Sequence, residues 1–199
     1  MSNQVTVPHT TIILTPEGQR EQDELLALET PYSVSLNDLK IGSSMVLPVG
    51  LEEFGVGFLF GQGFIKKPGE VVEVMVCPDG RIAVYADVDE TSTHEVIITS
   101  GCGGTGKISK EMLQGSFDPL QEATITFPEI KEFIHSVLQA SPLSEQTHCI
   151  HGCGLWAEGK LQVFYEDVGR HNAVDKVLGA ILLGNAPANG AVYTTGRLT

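Results

Sequence analysis

Apolar residues recur at helical spacing over 127–138, where Phe127, Ile130, Phe133, Ile134, Val137 and Leu138 fall on one stripe. Thr126, Pro128 and Glu129 form a capping box with proline in the first turn, so the pattern predicts a helix starting there. A second stripe, Ala173, Val174, Val177, Leu178, Ile181 and Leu182, predicts a helix over 172–183. Between these helices, strand-like runs at 150–157 and 161–166 are joined by a turn at Glu158 and Gly159, and a last strand over 191–194 leads into Gly196 and Arg197. The first half reads as short strands over 11–14, 32–36, 45–48, 70–76, 81–88 and 95–99, with CPDG over 77–80 as a hairpin turn. Among them lies LEEFGVGFLFGQGFI, 51–65, apolar on nearly all sides and studded with glycine. That composition suits a short buried helix closely approached by other backbone.

The glycines and small polar residues of TSGCGGTGKISK, 99–110, cannot build a core element and mark a loop between two halves. The pattern therefore divides the chain into an N-terminal α+β domain, 1–115, ending in this loop, and a second domain, 116–199. With 25 acidic and 12 basic side chains the net charge is −13, which argues against binding a nucleic-acid backbone. A smaller anion needs only a pocket with a few cationic side chains and backbone N–H groups, and is not excluded. The start of the chain has no basic run and no signal-like apolar core, and no stretch reaches the roughly 18 apolar residues of a membrane span. A cytoplasmic protein without membrane attachment is expected. A chain of this size buries its own core without disulfides, so Cys77, Cys102, Cys149 and Cys153 are expected to be reduced.

Three segments carry chemistry. Cys102 sits in the glycine-rich loop with Lys107 and Lys110 just downstream, and cations or a helix N-terminus favour a nucleophilic thiolate. The plain alternative is a small residue in a turn. EDVGRHNAVDK, 166–176, lies where a strand hands over to a helix, a place that favours anions, and it offers Arg170, His171 and Asn172 to a ligand. The alternative is a charged helix start whose side chains form solvated or intrahelical pairs. HCIHGCG, 148–154, gathers His148, Cys149, His151 and Cys153, all zinc-type ligands. Consecutive strand residues point to opposite faces, however, so a single ion is not expected to hold them, and small thiols in a tight turn are the alternative.

These segments together resemble the formate dehydrogenase accessory protein (FdhD) family. TSGCGGTGK, 99–107, resembles its cysteine loop, EDVGRHNAVDK its most diagnostic motif, and THCIHGC, 147–153, its Thr-Gly-Gly-x-His segment. The glycine-rich helix over 51–65 and Thr195-Gly196-Arg197 also fit, so the resemblance runs from about Thr30 to the end. Two departures matter. Family members usually show Cys-Gly-x-Cys in the loop, whereas Thr105 takes the second cysteine's place, so no disulfide forms between the pair. In the third motif His148 and Cys149 stand where the family has two glycines, while His151 keeps the motif's histidine.

The resemblance implies an α/β fold, a cytidine-deaminase-like mixed sheet flanked by helices and preceded by a smaller α+β domain. It implies a sulfur carrier: a cysteine desulfurase loads Cys102 as a persulfide, and the sulfur passes to molybdenum in a bis(molybdopterin guanine dinucleotide) cofactor destined for formate dehydrogenase. The glycines around Cys102 would let one cysteine visit both donor and acceptor. Arg170, His171, Asn172, Arg197 and His151 become the expected cofactor contacts, with GDP as a mimic of the cofactor's guanosine diphosphate arms, no catalytic metal of the protein's own, and a homodimer. Family members run on for several dozen residues past the point matching Arg197, through a further helix and a strand implied to hold much of the cofactor contact. If the given sequence is the whole protein, cofactor binding is expected to be weakened or absent; if it is part of a longer one, that contact lies outside it. Zinc deaminase chemistry needs His-x-Glu and Pro-Cys-x-x-Cys, and the sequence has neither. The rival classes are a metal-binding, deaminase-like hydrolase resting on the 148–153 cluster, and a chaperone that shelters the cofactor without carrying sulfur.

Overall fold

The structure, a computed structural model, describes residues 5–88 and 125–198. Cys102 with its loop, the strand expected over 95–99 and the proposed boundary near 115 lie outside them. Among the described residues the fold is mixed α/β, as expected.

The chain opens with β1 (Thr6–Thr15) and β2 (Gly18–Ala27), an antiparallel two-stranded ribbon. The sequence pattern gives only part of β1 and none of β2, whose GQREQDELLA is polar on both faces. A ribbon wet on both sides needs no alternation, and Ile12 and Leu14 of β1 stay exposed. Next come β3 (Thr30–Leu36) and β4 (Leu39–Val46), turning at Asn37 and Asp38, both with positive φ, as a tight hairpin turn requires. Helix α1 (Leu51–Gly61) then precedes β5 (Val71–Val76) and β6 (Arg81–Ala86). The four strands form one sheet in the order β4-β3-β6-β5, with β3 and β6 parallel and the other pairs antiparallel. Val34, Leu36, Ile82 and Val84 of this sheet pack with Phe54, Val56, Phe58 and Leu59 of α1.

The second half holds α2 (Phe127–Gln139), a short α3 (Pro142–Thr147) absent from the sequence reading, β7 (His151–Ala157), β8 (Lys160–Asp167), α4 (Arg170–Leu182) and β9 (Ala191–Thr194). Its strands pair antiparallel in the order β8-β7-β9. Central strand β7 is buried on both faces: Cys153 and Leu155 pack on Ala173 and Val177 of α4, while Trp156 packs on Phe133 and Val137 of α2. The predicted capping box of α2 is present, with Glu129 Oε2 accepting from the Thr126 backbone N–H at 2.8 Å. Of its predicted apolar stripe only Phe133 and Val137 are buried; Phe127 and Leu138 are 69% and 67% exposed, because the sheet meets a narrow seam of the helix.

The halves meet where α1 lies against α4. Gly57 and Gly179 let the two backbones touch: a Cβ on Gly57 would sit 1.7 Å from the Asp175 carbonyl oxygen, and one on Gly179 1.8 Å from that of Glu53. Gly57, among the glycines of 51–65, therefore serves the close backbone approach that the sequence suggests. Tyr165 adds a side-chain tie, its hydroxyl donating to Glu53 at 3.1 Å.

Candidate functional site

The EDVGRHNAVDK segment spans the end of β8 and the first half of α4. Gly169 is the N-cap of α4, and no side chain caps the helix. Its N-terminal amides and dipole make this end electropositive. Beside it run the start of β7 and the end of β9. Thr195 N–H donates to the Gly152 carbonyl at 3.0 Å, and Thr195 Oγ1 accepts from Gly152 N–H at 3.0 Å. The His151 ring nitrogen Nδ1 lies 3.1 Å from that same Oγ1. Gly196 then passes over α4 so closely that a Cβ there would come within 2.7 Å of Arg170 Cβ. Beyond it, Arg170 Nε donates to the Arg197 carbonyl at 2.9 Å. Four of the residues expected to contact cofactor, His151, Arg170, His171 and Arg197, thus gather where β7, β9 and α4 converge. Partial burial, reinforced by the charge of Arg170, lowers the His171 pKa and favours its neutral ring.

Behind this surface lies a polar bracket. Asp167 and Lys176 are both fully buried, with Lys176 Nζ 2.7 Å from Asp167 Oδ2. Lys176 also donates to the carbonyls of Leu47, 3.2 Å, and Glu166, 3.1 Å, using all three of its protons. Asp167 Oδ2 accepts from Leu47 N–H at 3.1 Å, and its Oδ1 from Gly169 N–H and Asn172 Nδ2, each at 2.9 Å. Asn172 Nδ2 further donates to the Met45 carbonyl at 2.8 Å, and Ser44 Oγ to Asn172 Oδ1 at 3.4 Å. Asp167 and Lys176 are therefore neither solvated nor an intrahelical pair, and the plain reading of the motif as an ordinary charged helix start does not describe them. A signal was available: Lys176 shares a helical face with Ala173, Val177 and Ala180. Glu166, half-buried, accepts from Leu143 and Ser144 N–H at 3.4 and 2.9 Å, capping α3. Burial raises its pKa, partly offset by these bonds.

The HCIHGCG segment is pulled apart by the fold. His148 ends α3 in the left-handed conformation, φ 53°, Cys149 is exposed, and His151 opens β7. Cys153 is fully buried against α4, and burial, with the nearby charge of Asp175, pushes its thiol up to about 12, so it stays protonated and unreactive. Among the described residues no three His, Cys, Asp or Glu side chains converge as a metal site. No helix among them is long and apolar enough to cross a membrane.

The FdhD/NarQ family model matches residues 27–199, and the chain belongs to that family. It is 34% identical over 191 residues to the sulfur carrier protein FdhD of Wolinella succinogenes, covering 90% of this chain and 65% of that protein. It is 30% identical over 172 residues to the sulfur carrier protein FdhD of Sulfolobus acidocaldarius, covering 83% and 66%. The chain thus spans just under two thirds of the length of these relatives. A crystal structure described as a formate dehydrogenase accessory protein, from Desulfotalea psychrophila, is 56% identical, superposes with a TM-score of 0.85, and is matched over 98% of this chain and 76% of its own.

Proposed function

We propose that this chain is a sulfur carrier acting in the cytoplasm, with Cys102 as the carrying residue. The observation that carries the reading is membership of the FdhD/NarQ family over 27–199, together with relatives that bear the name sulfur carrier. The Cys102 thiolate attacks the outer sulfur of a cysteine desulfurase's persulfide; that sulfur–sulfur bond breaks, the desulfurase thiolate leaves, and Cys102 holds the sulfur as its own persulfide. The sulfur then passes to molybdenum in a bis(molybdopterin guanine dinucleotide), the substrate that receives it on its way to formate dehydrogenase. Delivery as sulfide takes two electrons, which a second thiol supplies by ending in a disulfide with Cys102. A homodimer is the working assembly.

The convergence of β7, β9 and α4 is the place assigned to a guanosine diphosphate arm. An uncapped helix N-terminus with Arg170 and Arg197 beside it suits an anion in an otherwise acidic chain. His151 and His171 border the same place. The test of the carrier role is activation of formate dehydrogenase in cells lacking the endogenous carrier: Cys102→Ala abolishes it, and full activation by that variant rejects the mechanism. Thr105→Ser should be mild, since position 105 brings no thiol to the loop.

A further inference from the structure

Asn172, expected from the sequence to touch the ligand, is placed by the structure in a different role. A primary amide has two N–H donors, and phosphate oxygens only accept. Asn172 spends both donors inside the protein, on the Met45 carbonyl at 2.8 Å and on Asp167 Oδ1 at 2.9 Å. Both partners are obligate acceptors, so the amide cannot be turned the other way without setting its oxygen against theirs. Its own oxygen receives Ser44 Oγ at 3.4 Å. No donor remains for an anion.

The same contacts tie three separate segments at one point. Met45 lies near the end of β4 in the first-half hairpin, Asp167 closes β8, and Asn172 stands in the first turn of α4, two residues after Arg170. Asp167 Oδ1 also holds Gly169 N–H at 2.9 Å, which fixes the N-cap from which Arg170 and His171 project. Lys176, at 2.7 Å, pairs the Asp167 charge, so the bracket presents no unpaired negative charge behind the site. We infer that Asn172, acting with Asp167, is a positioning residue for the anion site: it sets the first turn of α4 so that Arg170 meets the diphosphate, and does not itself touch it. This rests on the guanosine diphosphate reading given above.

The test is a double-mutant cycle between Asn172 and Arg170, read by calorimetric titration of GDP, with circular dichroism as the folding control. Asn172→Ala weakens GDP binding about tenfold in the otherwise wild-type protein, the scale of two modest hydrogen bonds lost at one remove. In the Arg170→Ala background the same change costs less than about twofold, because Asn172 has nothing left to position. Asn172→Ser, a small polar replacement compatible with a first helical turn, gives the same pattern and serves if the alanine variant folds poorly. A spectroscopic readout accompanies it: the NMR resonance of the Arg170 Nε–H, bonded to the Arg197 carbonyl, shifts in ligand-free Asn172→Ala. Equal losses in both backgrounds, an unmoved Arg170 resonance, or unchanged GDP affinity in a folded Asn172 variant would each overturn the positioning role while leaving the nucleotide reading intact. Failure of wild-type protein to bind GDP would overturn both.

Discussion

Lys176 and Asp167 face each other at 2.7 Å with both side chains completely withdrawn from solvent, and every proton of the one and both oxygens of the other are hydrogen-bonded. Such a pair is costly to bury and more costly to break, since either partner left alone is an uncompensated charge in the interior. Lys176→Met is therefore expected to lose roughly 3–5 kcal/mol of stability. Urea unfolding of wild type and variant checks this, and a loss below about 1 kcal/mol would mean that the pair does not hold the junction together.

Helices α1 and α4 touch backbone to backbone. Gly57→Ala and Gly179→Ala must each push the helices apart or displace a carbonyl, at a cost expected to reach or exceed about 3 kcal/mol. Gly61 is the control. A Cβ there meets Asp175 Oδ1 at an ordinary 3.4 Å, so Gly61→Ala should be close to neutral. Thermal unfolding of the three variants separates the cases, and similar losses at all three positions would contradict the packing described.

Much of this architecture was legible in the chain. The capping box at Thr126, the strand-like run over 150–157 and the apolar face of α4 each report local structure that the tertiary fold keeps. β2 was not legible, because a strand wet on both faces carries no alternation. Nor was the outward-facing stripe of α2, since how many apolar residues a neighbour covers depends on that neighbour. The motif at 166–176 was visible as a candidate anion site, yet the division of labour within it was not. Arg170 and Asn172 look equally available in the sequence, and only the positions of Met45 and Asp167 show that the asparagine's donors are taken.

Asp175 provides a pH signature. Burial, then the neighbouring charge of Asp167, raises its carboxyl from an ordinary 3.8 to about 7. The folded state therefore holds this proton more tightly than the unfolded chain. The stability it confers is complete below about pH 3.8 and is lost as pH rises toward 7. Between about pH 5 and pH 8, wild type should lose melting temperature relative to Asp175→Asn, whose amide cannot ionise. A difference that stays constant or shrinks with rising pH would show that Asp175 ionises normally.

The two arginines beside α4 should both matter to nucleotide binding. Arg170→Ala and Arg197→Ala are each expected to weaken GDP by roughly 1.5–3 kcal/mol, about ten- to a hundredfold, with the fold intact. Lysine should rescue poorly, because a point charge cannot reproduce the forked guanidinium geometry. Calorimetric titration decides it, and unchanged affinity in both variants would place the nucleotide elsewhere.

Sulfur loading tests the central claim most directly. The chain is incubated with a cysteine desulfurase and cysteine, and its intact mass is read without reductant, for wild type and for Cys102→Ala. Wild type should gain the mass of one sulfur atom, removable by a thiol, and Cys102→Ala should gain none; the buried, protonated Cys153 should not substitute. No gain on wild type, or the same gain on Cys102→Ala, would contradict a carrier built on Cys102.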